Sequence, residues 1–132
     1  MILVDSSAWV EYDRATGSPT DATLTELIES GGSGVAVTEP ILMEVLAGAR
    51  SADSAAQLRR LLTSFSWIPV DSVADFEGAA AIYRSCRRSG VSPRGLIDCM
   101  IANIAMRTGS QLLAADKDFR AMASVVPLRI AQ

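Results

Sequence analysis

The sequence predicts an α/β fold in which a mostly parallel sheet is covered on both faces by helices. Three observations carry that prediction. Four short apolar runs, at residues 2–4, 35–37, 67–70 and 111–115, lack the polar alternation of a half-exposed sheet and read as buried strands. The segments between them place apolar residues at helical spacing, and each is long enough for a crossover connection. At 132 residues and 49% apolar content the chain suits one domain, residues 1–132, with a sizeable core. No apolar run reaches the roughly eighteen residues of a membrane span.

Ile2, Leu3 and Val4 end abruptly in Asp5, Ser6 and Ser7, as a buried strand does where it emerges from a sheet edge. Residues 6–14 then read as a helix, with Asp5, Ser6 or Ser7 available as N-cap. After Gly17, Ser18 and Pro19, residues 20–30 carry Leu24, Leu27 and Ile28 at helical spacing. The turn at 31–34 is GGSG, without the glycine pattern that cradles a nucleotide. Beyond the second strand, Thr38 or Glu39 caps a helix with Pro40 in its first turn. Its buried stripe is Ile41, Leu42, Val45, Leu46 and Ala49, with Glu44 flanking it and Gly48 one turn further on.

Residues 52–65 form a helix with Leu58, Leu61 and Leu62 inward, and Pro69 puts the strand at 67–70 on a sheet edge. Asp71 or Ser72 caps a long helix over 73–89, stopped by Gly90, whose last turns hold Arg84, Arg87 and Arg88. Ser92 and Pro93 read as a cap and first-turn pair for a helix over 94–108. That helix is nearly all apolar except Asp98, one turn after Arg94. The strand at 111–115 runs into Asp116, Lys117, Asp118 and Phe119, and a short helix and a last strand near 128–130 complete the chain.

Composition narrows the chemistry. Histidine is absent, which removes the commonest general base and every zinc site that needs imidazole. Arginine outnumbers lysine eleven to one, and guanidinium grips phosphate in a two-pronged fork. The net charge is nevertheless −3, so contact with a nucleic acid must rest on a local patch such as the arginines at 84, 87, 88 and 94. The bland reading of that cluster is cations complementing a helix C-terminus. Cys86 and Cys99 are expected as free buried thiols. No leader precedes the first strand, so the expected location is the cytoplasm.

Four carboxylates stand out. Asp5 and Asp116 lie at strand carboxyl ends, where open α/β sheets bind ligands. Glu44 flanks a buried helix face, and Asp98 interrupts an apolar helix, which is costly unless the charge is paired or metal-bound. Three have an ordinary alternative, since Asp5 and Asp116 could simply cap helices and Glu44 could be surface, and Asp98 is the hardest to dismiss. Together they would repel, and a hard divalent cation, Mg²⁺ or Mn²⁺, is the compensation that an all-oxygen set selects. Such a site hydrolyses phosphodiesters through metal-activated water.

The stretches VDSSAW (residues 4–9), EVLAG (44–48), RGLIDCMIA (94–102) and ADKDF (115–119), in this order and spacing, resemble the PIN-domain nucleases, and among them the VapC-type toxins of type II toxin–antitoxin modules. The resemblance implies a three-layer α/β/α sandwich, Mg²⁺ or Mn²⁺, and selective cleavage of RNA. It also implies a homodimer, and inhibition by a cognate antitoxin whose tail enters the active-site groove. By position, Asp5, Glu44, Asp98 and Asp116 match the acidic metal ligands, Asp118 a secondary acid and Ser6 a hydroxyl where threonine is more usual. Arg94 matches an arginine found in a subset of these toxins, and Arg87 and Arg88 are RNA-binding candidates.

Two other readings remain open. A Mg²⁺-dependent phosphoacceptor or phosphatase domain also places aspartates at strand ends, but it needs a suitably placed lysine or a second Asp two residues after the first. Here Lys117 directly follows an acid and Ser7 holds that second position. A non-catalytic binding module would use the acidic cluster to pair with a partner's arginines.

Overall fold

The computed structural model describes residues 1–131. Strands β1 (Ile2–Val4), β2 (Val35–Val37), β3 (Ser66–Trp67) and β4 (Gln111–Leu113) form a sheet in the order β3-β2-β1-β4, with every pairing parallel. A parallel bridge between Leu112 and Ile130 adds a fifth position beyond β4. The chain therefore steps outward from β1 to β3, then crosses back to pair β4 with the other side of β1. That reversal puts the topological switch point at β1, beneath the place where Asp5 emerges.

Helices α1 (Ser6–Asp13), α2 (Pro19–Glu29), α3 (Glu39–Ala47), α4 (Ala52–Leu62), α5 (Ser72–Arg88), α6 (Leu96–Thr108) and α7 (Asp118–Ala123) complete a three-layer α/β/α arrangement. The strands are short because each needs only to cross the core: Leu3, Val4, Val35, Ala36, Val37 and Leu112 are fully buried. Local chemistry sets the helix ends. The Ser18 hydroxyl accepts from the Asp21 N–H, with Pro19 opening α2. At the other end of α6, Gly109 takes φ +68°, a left-handed conformation that costs glycine little. Where α5 meets α6, a Cβ on Gly78 would displace the amide end of the Asn103 side chain, which donates to Asp75. Cys86 and Cys99 are both buried and free, as expected. No helix among the described residues is long and apolar enough to cross a membrane.

Several expectations need correction. β4 ends at Leu113 rather than at 115, which leaves Asp116 in the loop beyond it, and α4 ends at Leu62 rather than at 65. The third strand is Ser66–Trp67 rather than 67–70. It does lie at the sheet edge, but Pro69 has no N–H to give a ladder, and the Val70 N–H goes instead to Glu39 Oε1 at 2.8 Å. The last strand is only the single bridge at Ile130. The largest difference is at α6, which starts at Leu96 with Gly95 as N-cap, so Ser92 and Pro93 are not its cap and first turn. Arg94 thus lies outside the helix, and Asp98 sits in the first turn, where the helix dipole favours an anion.

Candidate active site

Asp5 is set at the end of the central strand by its own backbone, whose N–H donates to the Leu113 carbonyl at 2.9 Å and extends the β1–β4 ladder. Its two oxygens then do different jobs. Oδ2 caps α1, accepting from the Ser7 N–H at 3.0 Å and the Ser7 hydroxyl at 2.6 Å. Oδ1 is buried without a hydrogen-bond partner among the described residues. The capping alternative for Asp5 is therefore correct for one oxygen and silent on the other.

Glu44 reaches the same place from α3, held because Ile41 and Val45 bury the adjoining stripe. Its Oε1 accepts from the Ser6 hydroxyl at 2.9 Å, which gives Ser6 a defined positioning role. Asp98 arrives from the first turn of α6, and its Oδ2 is a second buried oxygen with no partner among the described residues. Asp116 follows β4, its Oδ1 accepting from the Asp118 N–H at 2.9 Å. All four carboxylates, with Ser6, Ser7, Arg94 and Asp118, line one cleft of about 680 Å³.

Electrostatics mark the cleft as strained. Burial pushes the Asp98 carboxyl up to about 7, and repulsion from Asp5, Glu44 and Asp116 adds to it while Arg94 opposes it. Burial also raises Asp5, against the Ser7 hydrogen bonds, and raises Glu44, against its bond from Ser6. Arg94 is the one compensating group with an ion pair here among the described residues, 3.0 Å from Asp116 and 3.4 Å from Asp118.

These residues fit a hard divalent cation by their donor chemistry. The donors are all oxygen, two are buried and unpartnered, and the charge surplus is what a cation relieves. Among the described residues, no three acidic or sulfur-bearing side chains are drawn close enough to hold an ion as they stand. The carboxylates ring the cleft, and Asp116 is turned to Arg94.

Arg87 and Arg88 are not in the cleft. With Arg84 they line a separate hollow at the end of α5. Sequence reasoning also missed Ser7, whose hydroxyl accepts from the Ala115 N–H at 3.0 Å while donating to Asp5, and so ties β1 to the segment after β4. The only sequence signal for it was a second hydroxyl right after an emergent carboxylate. A second hollow of about 520 Å³ lies beside α1, α3 and α4, lined by Trp9, Val45 and Leu58 among others, and shares Val10 and Glu44 with the cleft.

The PIN domain profile matches residues 2–125. The ribonuclease VapC11 of Mycobacterium tuberculosis is 41% identical over 131 residues, covering 99% of this chain and 98% of the relative. The chain belongs to the PIN-domain family, among the VapC ribonucleases. The M. tuberculosis VapC20 structure, a toxin that cleaves the sarcin–ricin loop, is similar with a TM-score of 0.65 at 25% identity, covering 98% of this chain and 99% of that one. DNA-bound VapBC from Salmonella typhimurium shares the fold, with a TM-score of 0.72 at 18% identity over 98% of this chain and 96% of that one. The VapC motifs of the sequence, from the first strand to the acids after β4, thus fall around one cleft.

Proposed function

We propose that this chain is the toxin of a toxin–antitoxin module, a Mg²⁺- or Mn²⁺-dependent endoribonuclease. The observation that carries the reading is the pair of orphaned buried oxygens, Asp5 Oδ1 and Asp98 Oδ2, in a cleft ringed by two further carboxylates. Family membership among the VapC ribonucleases supports the substrate class. Asp5, Glu44, Asp98 and Asp116 would hold the cation, with Asp118 beside them as a secondary acid. When bound, it supplies Lewis acidity to the scissile phosphate and the attacking water.

The chain's own residues do the rest. Ser7 fixes the rotamer of Asp5, and Ser6 fixes Glu44, so that two ligands are held before any cation arrives. With its carboxyl pushed up to about 7, Asp98 would release a proton on loading, so cation affinity should rise with pH. The arginine hollow at the end of α5 supplies cationic surface for RNA outside the acid ring.

The antitoxin reading has its own support. The cleft already accepts a guanidinium, from Arg94, so a basic side chain on an antitoxin tail would find matched carboxylates. The hollow beside Trp9, which shares Val10 and Glu44 with the cleft, would give that tail a mixed polar and apolar surface to follow. Val73 and Phe76, exposed one turn apart on α5, are apolar surface that a second copy would cover in a homodimer.

The test uses the purified, partner-free chain on a broad RNA panel. Cleavage should require Mg²⁺ or Mn²⁺, and Asp5→Asn or Asp98→Asn should lower it by about 100-fold or more, as expected when a metal ligand is lost. Wild-type cleavage by either variant, or in EDTA, would overturn the assignment. No cleavage by wild type under any condition would favour the binding-module reading.

A further inference from the structure

Arg94 lies in the connection between α5 and α6, outside both helices, because α6 opens only at Leu96. One guanidinium there bridges two acids, with Nη1 3.0 Å from Asp116 Oδ2 and Nε 3.4 Å from Asp118 Oδ2. Yet 70% of its side chain is exposed, so the contact is screened and held weakly. Asp116, by contrast, is only 12% exposed, and needs a cationic partner more than Arg94 needs Asp116.

Six carboxylates line the cleft against two basic side chains, Arg94 and Lys117. A phosphodiester can enter only if that negative surplus is neutralised and a donor remains to meet it. Arg94 cannot serve Asp116 and a phosphate fully at once. A divalent cation on the aspartate oxygens has twice the charge and a harder match to carboxylate, so it wins the acids and frees the fork.

We propose that Arg94 is an exchangeable counter-ion. It holds Asp116 and Asp118 in the cation-free chain and, once a divalent cation takes those carboxylates, is released at the mouth of the cleft, where its guanidinium binds a phosphate of the RNA. Cation loading and substrate positioning are thereby coupled through one side chain. This rests on reading the cleft as a divalent-cation nuclease site, and the experiment separates failure of the two.

Mn²⁺ is titrated calorimetrically into wild type, Arg94→Gln and Arg94→Lys. At low salt the Gln variant should bind about three- to tenfold more tightly, with the gap closing as ionic strength rises, and the Lys variant should stay near wild type. In wild type, the Arg94 Nε–H resonance, assigned by its loss in Arg94→Gln, should shift with Mg²⁺ along the saturation curve of binding. At saturating Mn²⁺, Arg94→Gln should raise KM for RNA about three- to tenfold with a smaller change in kcat. Equal Mn²⁺ affinities, an Arg94 resonance unmoved at saturating Mg²⁺, or an unchanged KM would overturn the exchange. Absence of Mn²⁺ binding in all three proteins would instead remove the metal site on which it rests.

Discussion

Asp75 and Asp98 are both acids carried inward by helices, and the chain treats them in contrary ways. Asp75, fully buried on α5, accepts from Arg107 Nε at 2.9 Å and Nη2 at 2.8 Å, from Asn103 Nδ2 at 2.9 Å and from the Asp71 N–H at 2.8 Å. Burial alone would raise its pKa, but these bonds and the Arg107 charge together hold it below the ordinary carboxylate range. Asp98 has a buried oxygen with no partner among the described residues and three acids around it, and burial and repulsion push it up to about 7. The first carboxylate is closed by its own chain and serves the α5–α6 seam. The second is left open, and the stabilisation it lacks has to come from outside.

The same substitution should therefore act with opposite sign at the two positions. Asp75→Asn breaks a buried, bidentate ion pair and should cost about 3 kcal/mol in urea unfolding. Asp98→Asn relieves a half-buried charge repelled by three acids and opposed only by Arg94, and in EDTA at pH 8 it should stabilise the chain by about 1–2 kcal/mol. Two changes of the same sign would break the comparison.

Acidity separates them further. Because the folded-state pKa of Asp98 is raised, the folded chain binds more protons than the unfolded one between about pH 4 and 7, so stability without cation falls as pH rises through that window. The loss is a few kcal/mol at most, each pKa unit being worth about 1.4 kcal/mol. Asp75 has the reverse sign: its contribution is complete above the ordinary carboxylate range and disappears as pH falls through its depressed pKa. Urea midpoints against pH should show two limbs, and Mg²⁺ at constant ionic strength should flatten the neutral one only. Asp5 and Glu44 are raised as well and add to the same limb, so Asp98→Asn should shrink it, and a neutral limb undiminished in that variant would assign it to other groups.

The contrast also explains what was legible in the sequence. Strands without polar alternation exposed the parallel sheet, and Asp5 could be placed at a strand end because a strand's exit is a local event, whereas β4 stops at Leu113 and leaves Asp116 in the loop beyond it. Asp98 was conspicuous as the one charge in an apolar run. Arg94 was misread because helix propensity says nothing about a side chain recruited by acids more than twenty residues away, and that recruitment accompanies the later start of α6. The Asp75–Arg107 pair was missed although Asp75 shares the spacing of Ala79, Ile82 and Cys86, the buried face of α5. An acid on an apolar stripe is a signal, but its partner lies 32 residues on, where only the fold brings it near.

The smallest effect lies where the closed and open modes meet in one residue. Asp5 has one satisfied oxygen and one orphan, and Ser7 supplies the satisfaction while also accepting from the Ala115 N–H. Ser7→Ala should cost only about 1 kcal/mol, since the Ser7 backbone N–H still caps through Asp5 Oδ2. Its effect on chemistry should be larger than its effect on stability. Of the groups that oppose the burial raising Asp5, the Ser7 hydroxyl acts most strongly, so its loss should push the carboxyl higher and move the acidic limb of kcat/KM to higher pH. Ser7→Thr, which keeps the hydroxyl, should restore the limb. If Ser7→Ala lost stability with no shift of that limb, Ser7 would be a strand tie alone, and Asp5 would owe its readiness for a cation entirely to burial.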